Sequence, residues 1–126
     1  MAGSAVLLPE KLAPLVRNTI FSGNIHCYPE VESTNTLAME AGAQAGAQPE
    51  NAPEGAVFLA EEQTAGRGRG AHHWFSERGT GIYISFLLHP PMTPQEVLWL
   101  SLICGVALQD AAKEVTGLQA DIRWPN

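Results

Sequence analysis

A short segment rich in glycine and arginine carries the residue types best suited to chemistry in this chain. Residues 63–70 read QTAGRGRG, and three of the seven basic residues of the chain, Arg67, Arg69 and Arg78, lie in this segment or just beyond it. Glycine admits left-handed backbone and has no side chain, so backbone N–H groups can converge on a ligand. Arginine adds a planar, permanently charged fork that suits carboxylate or phosphate. The segment is therefore predicted to hold a small anion.

Length and charge limit the classes of protein this chain can be. Its 126 residues allow one domain with a modest core, and the formal net charge of −6 argues against nucleic acid as a partner. The longest nearly apolar run, 97–108, is too short to cross a membrane, and the N-terminus lacks the features of a secretory signal. Cys27 and Cys104 follow no metal or redox spacing and are expected to be buried small hydrophobes in a cytoplasmic protein.

Apolar periodicity and turn residues predict four elements in the first half of the chain. They are a short helix over 9–19, a strand over 25–28, a helix over 34–45 and a strand over 56–61. Pro14 is expected to delay or kink the first helix because it lacks a backbone N–H. Ser33 is a candidate N-cap of the second helix. The near-continuous apolar character of 56–61 predicts burial on both faces of a sheet.

The second half of the chain predicts a loop, a strand and a long helix. Residues 63–80 are expected to form the loop, and residues 81–88 a second buried strand. Thr93 and Glu96 form a capping box for a helix over 94–116, whose apolar residues cover more than one face and predict extensive burial. Residues 118–123 are expected to form a last strand. Alternating strands and helices favour an α+β fold, a mixed β-sheet covered by helices.

Five short motifs together resemble the catalytic domain of biotin protein ligases, over about residues 18–126. They are Glu32-Ser33-Thr34-Asn35, Ala60 to Arg69, Trp74-Phe75-Ser76, Gly81 to Ser85 and Arg123 to Asn126. The resemblance implies an incomplete fold of the class II aminoacyl-tRNA synthetase and biotin ligase type. It also implies a ligase that joins biotin to ATP with Mg²⁺, releases pyrophosphate and holds biotinyl-5′-adenylate. The acyl group then passes to a lysine of a biotin carboxyl carrier domain.

The resemblance also assigns a binding site. Arg69 is the expected catalytic residue, which grips the carboxylate of biotin and then the phosphate of the adenylate. The expected biotin-binding residues supply hydroxyl, amide and backbone groups for the ureido ring and an apolar wall for the tail: Ser33, Thr34, Asn35, Gln63, Gly66, Arg67, Gly68, Arg69, Trp74, Tyr83 and Ser85. The expected ATP and adenylate contacts are Arg67, Arg69, His72, Arg123 and Asn126. No protein-bound metal is expected.

Several alternatives stay open at this point. A lipoate or octanoate protein ligase shares the fold, and a fragment that binds biotin or adenylate without turnover is a third possibility. Ser33 to Asn35 could serve only as a helix cap, Trp74 only as a core residue, and Glu61 and Glu62 as supports of the loop. His72 stands where the family usually has a basic residue, which weakens one phosphate contact because neutral histidine predominates at pH 7.

The chain is interpreted as the N-terminal portion of a ligase catalytic domain. In that interpretation it has no DNA-binding domain, lacks the C-terminal part of the catalytic domain and has little activity alone. Missing strands would expose sheet edges, so the fragment is expected to form homo-oligomers.

Overall fold

The computed structural model describes residues 7–44 and 54–123. By backbone contacts the chain divides into two compact units, residues 1–89 and residues 90–126. The first unit contains helix α1 (Pro9–Leu12), a 3₁₀ turn (Ala13–Val16), strand β1 (Ile25–Tyr28), helix α2 (Thr34–Gln44), strand β2 (Ala56–Ala60) and strand β3 (Tyr83–Leu87). The second contains helix α3 (Leu98–Thr116). No helix among the described residues is long and apolar enough to span a bilayer.

The three strands form one mixed sheet in the order β1-β2-β3. β1 pairs with β2 in parallel, and β2 pairs with β3 in antiparallel fashion. All five residues of β2 are buried, which confirms the prediction that this strand is covered on both faces. β1 lies where the sequence predicted it. The α+β class, a mixed sheet covered by helices, is therefore confirmed.

Helix α2 covers one face of the sheet and places its N-terminus beside the candidate site. Ala38 of α2 packs with Ala56 and Phe58 of β2, and Leu87 of β3 borders this core. Successive strand residues point to opposite faces, so Ser85 and Tyr83 share the α2 face with Phe58. α2 was predicted over 34–45 and is observed to Gln44. The loop predicted at its end falls in 45–53, which lies outside the described residues.

The first helix is shorter than predicted. The sequence pattern extends over 9–19, but the α-helix ends at Leu12 and a 3₁₀ turn follows through Val16. Pro14 accounts for the change because it cannot donate the backbone hydrogen bond that α-helical geometry needs there. Gly23, with φ of +76°, turns the chain into β1 as the turn residues predicted.

The prediction that 81–88 forms a fully buried strand is wrong for one of its faces. Tyr83 is buried, but Ile84 and Phe86 on the opposite face are 38% and 49% exposed. β3 is an edge strand in this sheet, and its second face lines an apolar cavity of about 1010 Å³ with side chains of α1 and the 3₁₀ turn. The cavity leaves these two side chains partly uncovered.

In the second unit, α3 ends where the sequence predicted, at Thr116, but it begins at Leu98 and not at residue 94, and its burial also differs from the prediction. Thr93 N–H donates to Glu96 Oε2 at 2.8 Å and Glu96 N–H donates to Thr93 Oγ1 at 3.3 Å, so the capping box forms. Hydrogen bonds from the Thr93 backbone N–H and then from the Thr93 side chain to the carboxylate favour its ionised form and lower the pKa of the Glu96 carboxyl group. Gly117 ends the helix at φ of +73°.

No side chain of α3 is buried, contrary to the prediction. Within residues 90–123 the helix is flanked only by residues 90–97 and 118–123, which are too few to cover an apolar surface on several sides. Residues 118–123 are not a strand, and no described residue of this unit pairs with them as one. Cys104 is exposed on α3, which corrects its predicted burial, whereas Cys27 on β1 is partly buried.

Candidate functional site

The chain between β2 and β3 folds back on itself as a hairpin over 63–76, which we call the arginine hairpin. Bridges join Gln63 to Ser76 and Arg67 to His73. Inside it, Trp74 N–H donates to the Gly66 carbonyl at 2.7 Å, which ties the two arms together. The segment predicted as a loop therefore contains no regular strand, but isolated bridges and backbone hydrogen bonds join its two arms.

Gly66 is the point where the two arms of the arginine hairpin approach most closely. A Cβ atom placed on Gly66 would lie 2.5 Å from the Trp74 carbonyl oxygen, 2.6 Å from Ser76 Oγ and 3.1 Å from Gln63 Nε2. Real Cβ atoms do not approach other atoms this closely. Only glycine therefore permits the close approach of these arms, a role different from the contact with a ligand that the sequence predicted for the glycines.

A polar cavity of about 320 Å³ opens between the N-terminus of α2, strand β3 and the arginine hairpin. Its lining combines hydroxyl, amide, guanidinium and aromatic groups: Ser33, Thr34, Asn35, Gln63, Arg67, Trp74, Ile82, Tyr83, Ile84 and Ser85. All of these except Ile82 and Ile84 were predicted from the sequence as ligand contacts. The tertiary structure thus gathers residues from three distant segments of the chain into one concave site.

Other predicted contacts lie outside this cavity. Gly66 and Gly68 form the hairpin backbone, and Gly68 N–H donates to the His72 carbonyl at 2.8 Å. Arg69 and His72 are exposed near the hairpin tip, where Gly70 adopts φ of +64°. Arg123 is exposed in the second unit, and Asn126 lies outside the described residues.

A continuous set of hydrogen bonds crosses the floor of the polar cavity. Gln63 Oε1 accepts from the Thr34 backbone N–H at 2.8 Å and from Thr34 Oγ1 at 3.2 Å. Thr34 Oγ1 lies 2.9 Å from Ser85 Oγ. On the other side, Gln63 Nε2 donates to Ser76 Oγ at 3.0 Å, and Ser76 Oγ donates to the Trp74 carbonyl at 3.2 Å.

This network changes the interpretation of Ser33 and Gln63. Ser33 was a candidate N-cap of α2, and its carbonyl accepts the Leu37 N–H at 3.3 Å. The free N–H of Thr34, however, is satisfied by the side chain of Gln63 from the arginine hairpin. Gln63 therefore joins the hairpin to the helix in addition to lining the cavity.

The two aromatic residues predicted as an apolar wall differ in their surroundings. Trp74 is 62% exposed, so it is available to a ligand at the cavity mouth and is not a core residue. Tyr83 is buried, and its hydroxyl donates to the Glu77 carbonyl at 2.9 Å and lies 2.9 Å from Thr80 Oγ1. The ring of Tyr83 thus lines the cavity, while its hydroxyl hydrogen-bonds to residues 77 and 80, which lead from the arginine hairpin into β3.

Arg78, which follows the arginine-rich segment and was given no ligand contact from the sequence, belongs to an ion cluster. Its Nη1 lies 2.5 Å from Glu61 Oε2, its Nε lies 3.6 Å from Glu62 Oε2, and its Nη2 donates to the Pro29 carbonyl at 2.9 Å. The buried Glu61 also accepts the Leu7 N–H at 2.9 Å. Glu61 and Glu62 therefore support the base of the hairpin, as proposed for them. The positive charge available to an anion near the cavity then comes from Arg67 and Arg69.

The described residues offer neither a reactive thiol at Cys27 nor a metal site. Burial, and then the carboxylates of Glu10 and Glu61, raise the pKa of the Cys27 thiol, which keeps it protonated and unreactive. Across residues 7–44 and 54–123, no three histidine, cysteine or acidic side chains are placed to hold a metal ion.

Sequence reasoning named Ser76 as part of a motif but gave it no role in the site. Ser76 is only 4% exposed and hydrogen-bonds on both sides within the network. Its buried, fully paired hydroxyl depends on the fold of the hairpin, because residues 63 and 76 are neighbours only across the ladder.

A mixed sheet with a concave polar site, closed by a hairpin that carries exposed arginines, defines a domain built to bind a small anionic molecule. Residues 29–126 match the Biotin/lipoate A/B protein ligase family. The chain belongs to that family. A bifunctional ligase/repressor BirA of Bacillus subtilis is 43% identical over 76 residues, which cover 60% of this chain and 23% of that protein.

Two solved structures extend the comparison. A biotin protein ligase from Leishmania major in complex with biotinyl-5-AMP has a TM-score of 0.61 and 34% sequence identity, covering 82% of this chain and 39% of that one. A biotin protein ligase from Aquifex aeolicus in complex with biotin and ATP has a TM-score of 0.63 and 33% identity, covering 82% and 40% respectively. The chain thus spans less than half the length of the proteins it matches.

Proposed function

We propose that this chain forms the biotin-binding portion of a ligase that activates biotin with ATP. The polar cavity carries the proposal, because it unites hydroxyl, amide and guanidinium groups beside an exposed tryptophan. The Aquifex aeolicus relative, crystallised with biotin and ATP, supports this assignment. Because the chain covers about two fifths of such structures, we assign it to one portion of the catalytic domain.

The proposed reaction has two displacements. A carboxylate oxygen of biotin attacks the α-phosphorus of ATP, the bond to pyrophosphate breaks, and biotinyl-5′-adenylate forms. A lysine amine of a biotin carboxyl carrier domain then attacks the acyl carbon, releasing AMP and a proton as the amide forms. The first step brings anions together, so fixed positive charge must offset their repulsion. Arg67 at the cavity and Arg69 on the hairpin tip supply that charge in our proposal, and Mg²⁺ accompanies the triphosphate.

The cavity favours biotin over the lipoyl group, which is the alternative substrate within the family. A ureido ring offers two N–H donors and one carbonyl acceptor, and Thr34, Gln63 and Ser85 provide a hydrogen-bonded set of matching groups. The dithiolane ring of lipoate has no such groups, so it would leave these polar atoms unpaired. Binding without turnover remains the second candidate for the chain alone, since it covers only about two fifths of the matched structures.

Calorimetry and product analysis separate these candidates. We expect the chain to bind biotin and to bind lipoate far more weakly; equal affinity would contradict the biotin assignment. Pyrophosphate release with biotin, ATP and Mg²⁺ would identify an enzyme, and binding without release would identify a binding fragment. Arg69→Ala should weaken the binding of biotin through its carboxylate and, more strongly, the retention of biotinyl-5′-adenylate. Arg17→Ala, at an exposed arginine before β1, serves as the matched control.

Self-association of the chain forms part of the proposal. β1 and β3 are the edges of a three-stranded sheet, and Ile82 beside β3 is 81% exposed. Unpaired strand edges with exposed apolar residues favour pairing between copies. We expect homo-oligomers in sedimentation at micromolar concentration, and a monomer under those conditions would contradict this point.

We also place the protein in the cytoplasm. Two free cysteines, one of them exposed, fit a reducing compartment, and ATP is a cytoplasmic substrate. Fractionation of cells that express the parent protein would test the assignment.

A further inference from the structure

The hydrogen-bond network beneath the polar cavity has an obligate donor at one end and an obligate acceptor at the other. The Thr34 backbone N–H can only donate, and it points at Gln63 Oε1 over 2.8 Å. The Trp74 carbonyl can only accept, and Ser76 Oγ donates to it. Backbone groups cannot change these roles, so the side chains between them must adapt.

Counting hydrogens fixes the direction of every bond between those ends. Ser76 has one hydroxyl hydrogen and gives it to Trp74, so it accepts from Gln63 Nε2. Gln63 Oε1 can only accept, so the hydrogen of Thr34 Oγ1 is given to it. The remaining contact, Thr34 Oγ1 to Ser85 Oγ at 2.9 Å, is then a bond in which Ser85 donates.

We infer that Ser76 is a positioning residue that fixes the pattern of donors and acceptors offered to the ligand. It acts through Gln63, whose amide it anchors with one of the two Nε2 hydrogens. The terminal torsion of a glutamine is otherwise soft. Ser76 suits this role because it is buried and packs against the position where Gly66 would carry a Cβ atom.

The direction of the network specifies the chemistry of the ligand group that faces it. Ser85 has given up its hydrogen, so it presents lone pairs and accepts from a ligand N–H. Gln63 keeps one further N–H, which suits a ligand carbonyl, while its oxygen is committed to Thr34. A carbonyl flanked by N–H groups satisfies both. This inference rests on the proposed biotin function and adds the residue that enforces the pattern.

Two variants and two ligands test the inference by calorimetry. The ligands are biotin and 2-iminobiotin, whose protonated form replaces the ureido oxygen by a donor. Gln63→Glu replaces the amide between Thr34 and Ser76 by a carboxylate. The Ser76 hydroxyl then turns to donate to that carboxylate, so the group facing the ligand becomes an acceptor. We expect the preference for biotin over 2-iminobiotin to fall by about 100-fold, since two hydrogen-bond mismatches each change affinity about tenfold.

Ser76→Ala removes the anchor but leaves Gln63 in place. We expect the affinity for biotin to fall about tenfold and that for 2-iminobiotin to change little, because only biotin accepts from the second Nε2 hydrogen, whose direction the bond to Ser76 fixes. Ser22→Ala, at an exposed serine in the turn before β1, is the control and should bind both ligands as the wild type does. Equal losses for both ligands in the two site variants would show a merely structural role and overturn the inference, as would wild-type binding by Ser76→Ala.

A second measurement keeps this inference separate from the proposed function. Nuclear magnetic resonance of the Gln63 side-chain amide should show a shifted, slowly exchanging N–H that is lost in Ser76→Ala and kept in Ser22→Ala. If the wild-type chain binds neither ligand, the proposed function fails and the amide signal alone decides the network. An amide signal that Ser76→Ala leaves unchanged overturns the positioning role whatever the chain binds.

Discussion

Replacing Gly66 by alanine tests whether the arginine hairpin must keep its observed shape to bind a ligand. The new methyl group would lie 2.5 Å from the Trp74 carbonyl oxygen and 2.6 Å from Ser76 Oγ. Ordinary contact requires about 3.5 Å, so the two arms must separate by about 1 Å. Both neighbours belong to the hairpin ladder or to the cavity network, and neither is the far end of a flexible side chain. The arms therefore have to move as backbone.

The expected cost follows from the bonds that such a movement breaks. The Trp74 N–H bond to the Gly66 carbonyl, 2.7 Å long, and the bond from Gln63 to Ser76, 3.0 Å long, are both lost or stretched. Each is worth about 0.5–1.5 kcal/mol, and residual crowding adds about 1 kcal/mol. The closed hairpin is thus expected to lose about 2–4 kcal/mol, and the affinity for biotin to fall at least about tenfold.

Titration calorimetry with biotin measures the loss, and circular dichroism checks that the sheet and helices persist. Gly42→Ala provides the matched control, because its Cβ on α2 would lie 3.4 Å from Leu87 Cδ1, an ordinary contact. That variant should bind biotin normally and gain about 0.5–1 kcal/mol of stability from the better helix former. Wild-type biotin affinity in Gly66→Ala would refute the role assigned to the hairpin.

Three further predictions concern the supports of the fold. Arg78→Ala should lower the free energy of unfolding by about 1–3 kcal/mol in denaturant titration, because it leaves the buried Glu61 without its charged partner. The loss is moderate because the Arg78 side chain is 41% exposed and solvent partly screens its charge. Arg78→Lys should recover only part of this loss. The pKa of Glu96 is lowered in the folded chain, so its contribution to α3 is present above the ordinary glutamate pKa and disappears as pH falls through the folded value. Glu96→Gln should abolish that acid-dependent loss of helical signal. Burial raises the pKa of Cys27, so iodoacetamide should modify exposed Cys104 first at neutral pH, with the difference narrowing as pH rises; preferential modification of Cys27 would contradict this account.

Local signals in the sequence were sufficient for the elements whose formation depends on neighbouring residues. β2 was recognised by a continuous apolar run, and the end of α3 by Gly117. The Thr93–Glu96 box forms as predicted, but it lies before the first residue of α3, Leu98. The charge of the ligand could be predicted for the same reason, because glycines alternating with arginines suit an anion in any fold that presents them. The particular contact residues came from the resemblance to biotin protein ligases, and eight of them line the polar cavity.

Only the tertiary structure decided which side chains are buried and which polar groups pair with each other. The sequence overestimated the burial of β3 and α3, because an apolar residue is covered only if another segment packs on it, and local periodicity does not say which segment does so. The pairing of Arg78 with Glu61 joins positions seventeen residues apart, and no local pattern in the sequence predicts it. The direction of the network through Gln63 and Ser76 likewise depends on a ladder that pairs positions thirteen residues apart. Residue types and order along the chain thus determined what could be bound, whereas long-range pairing determined which groups are left free to bind it.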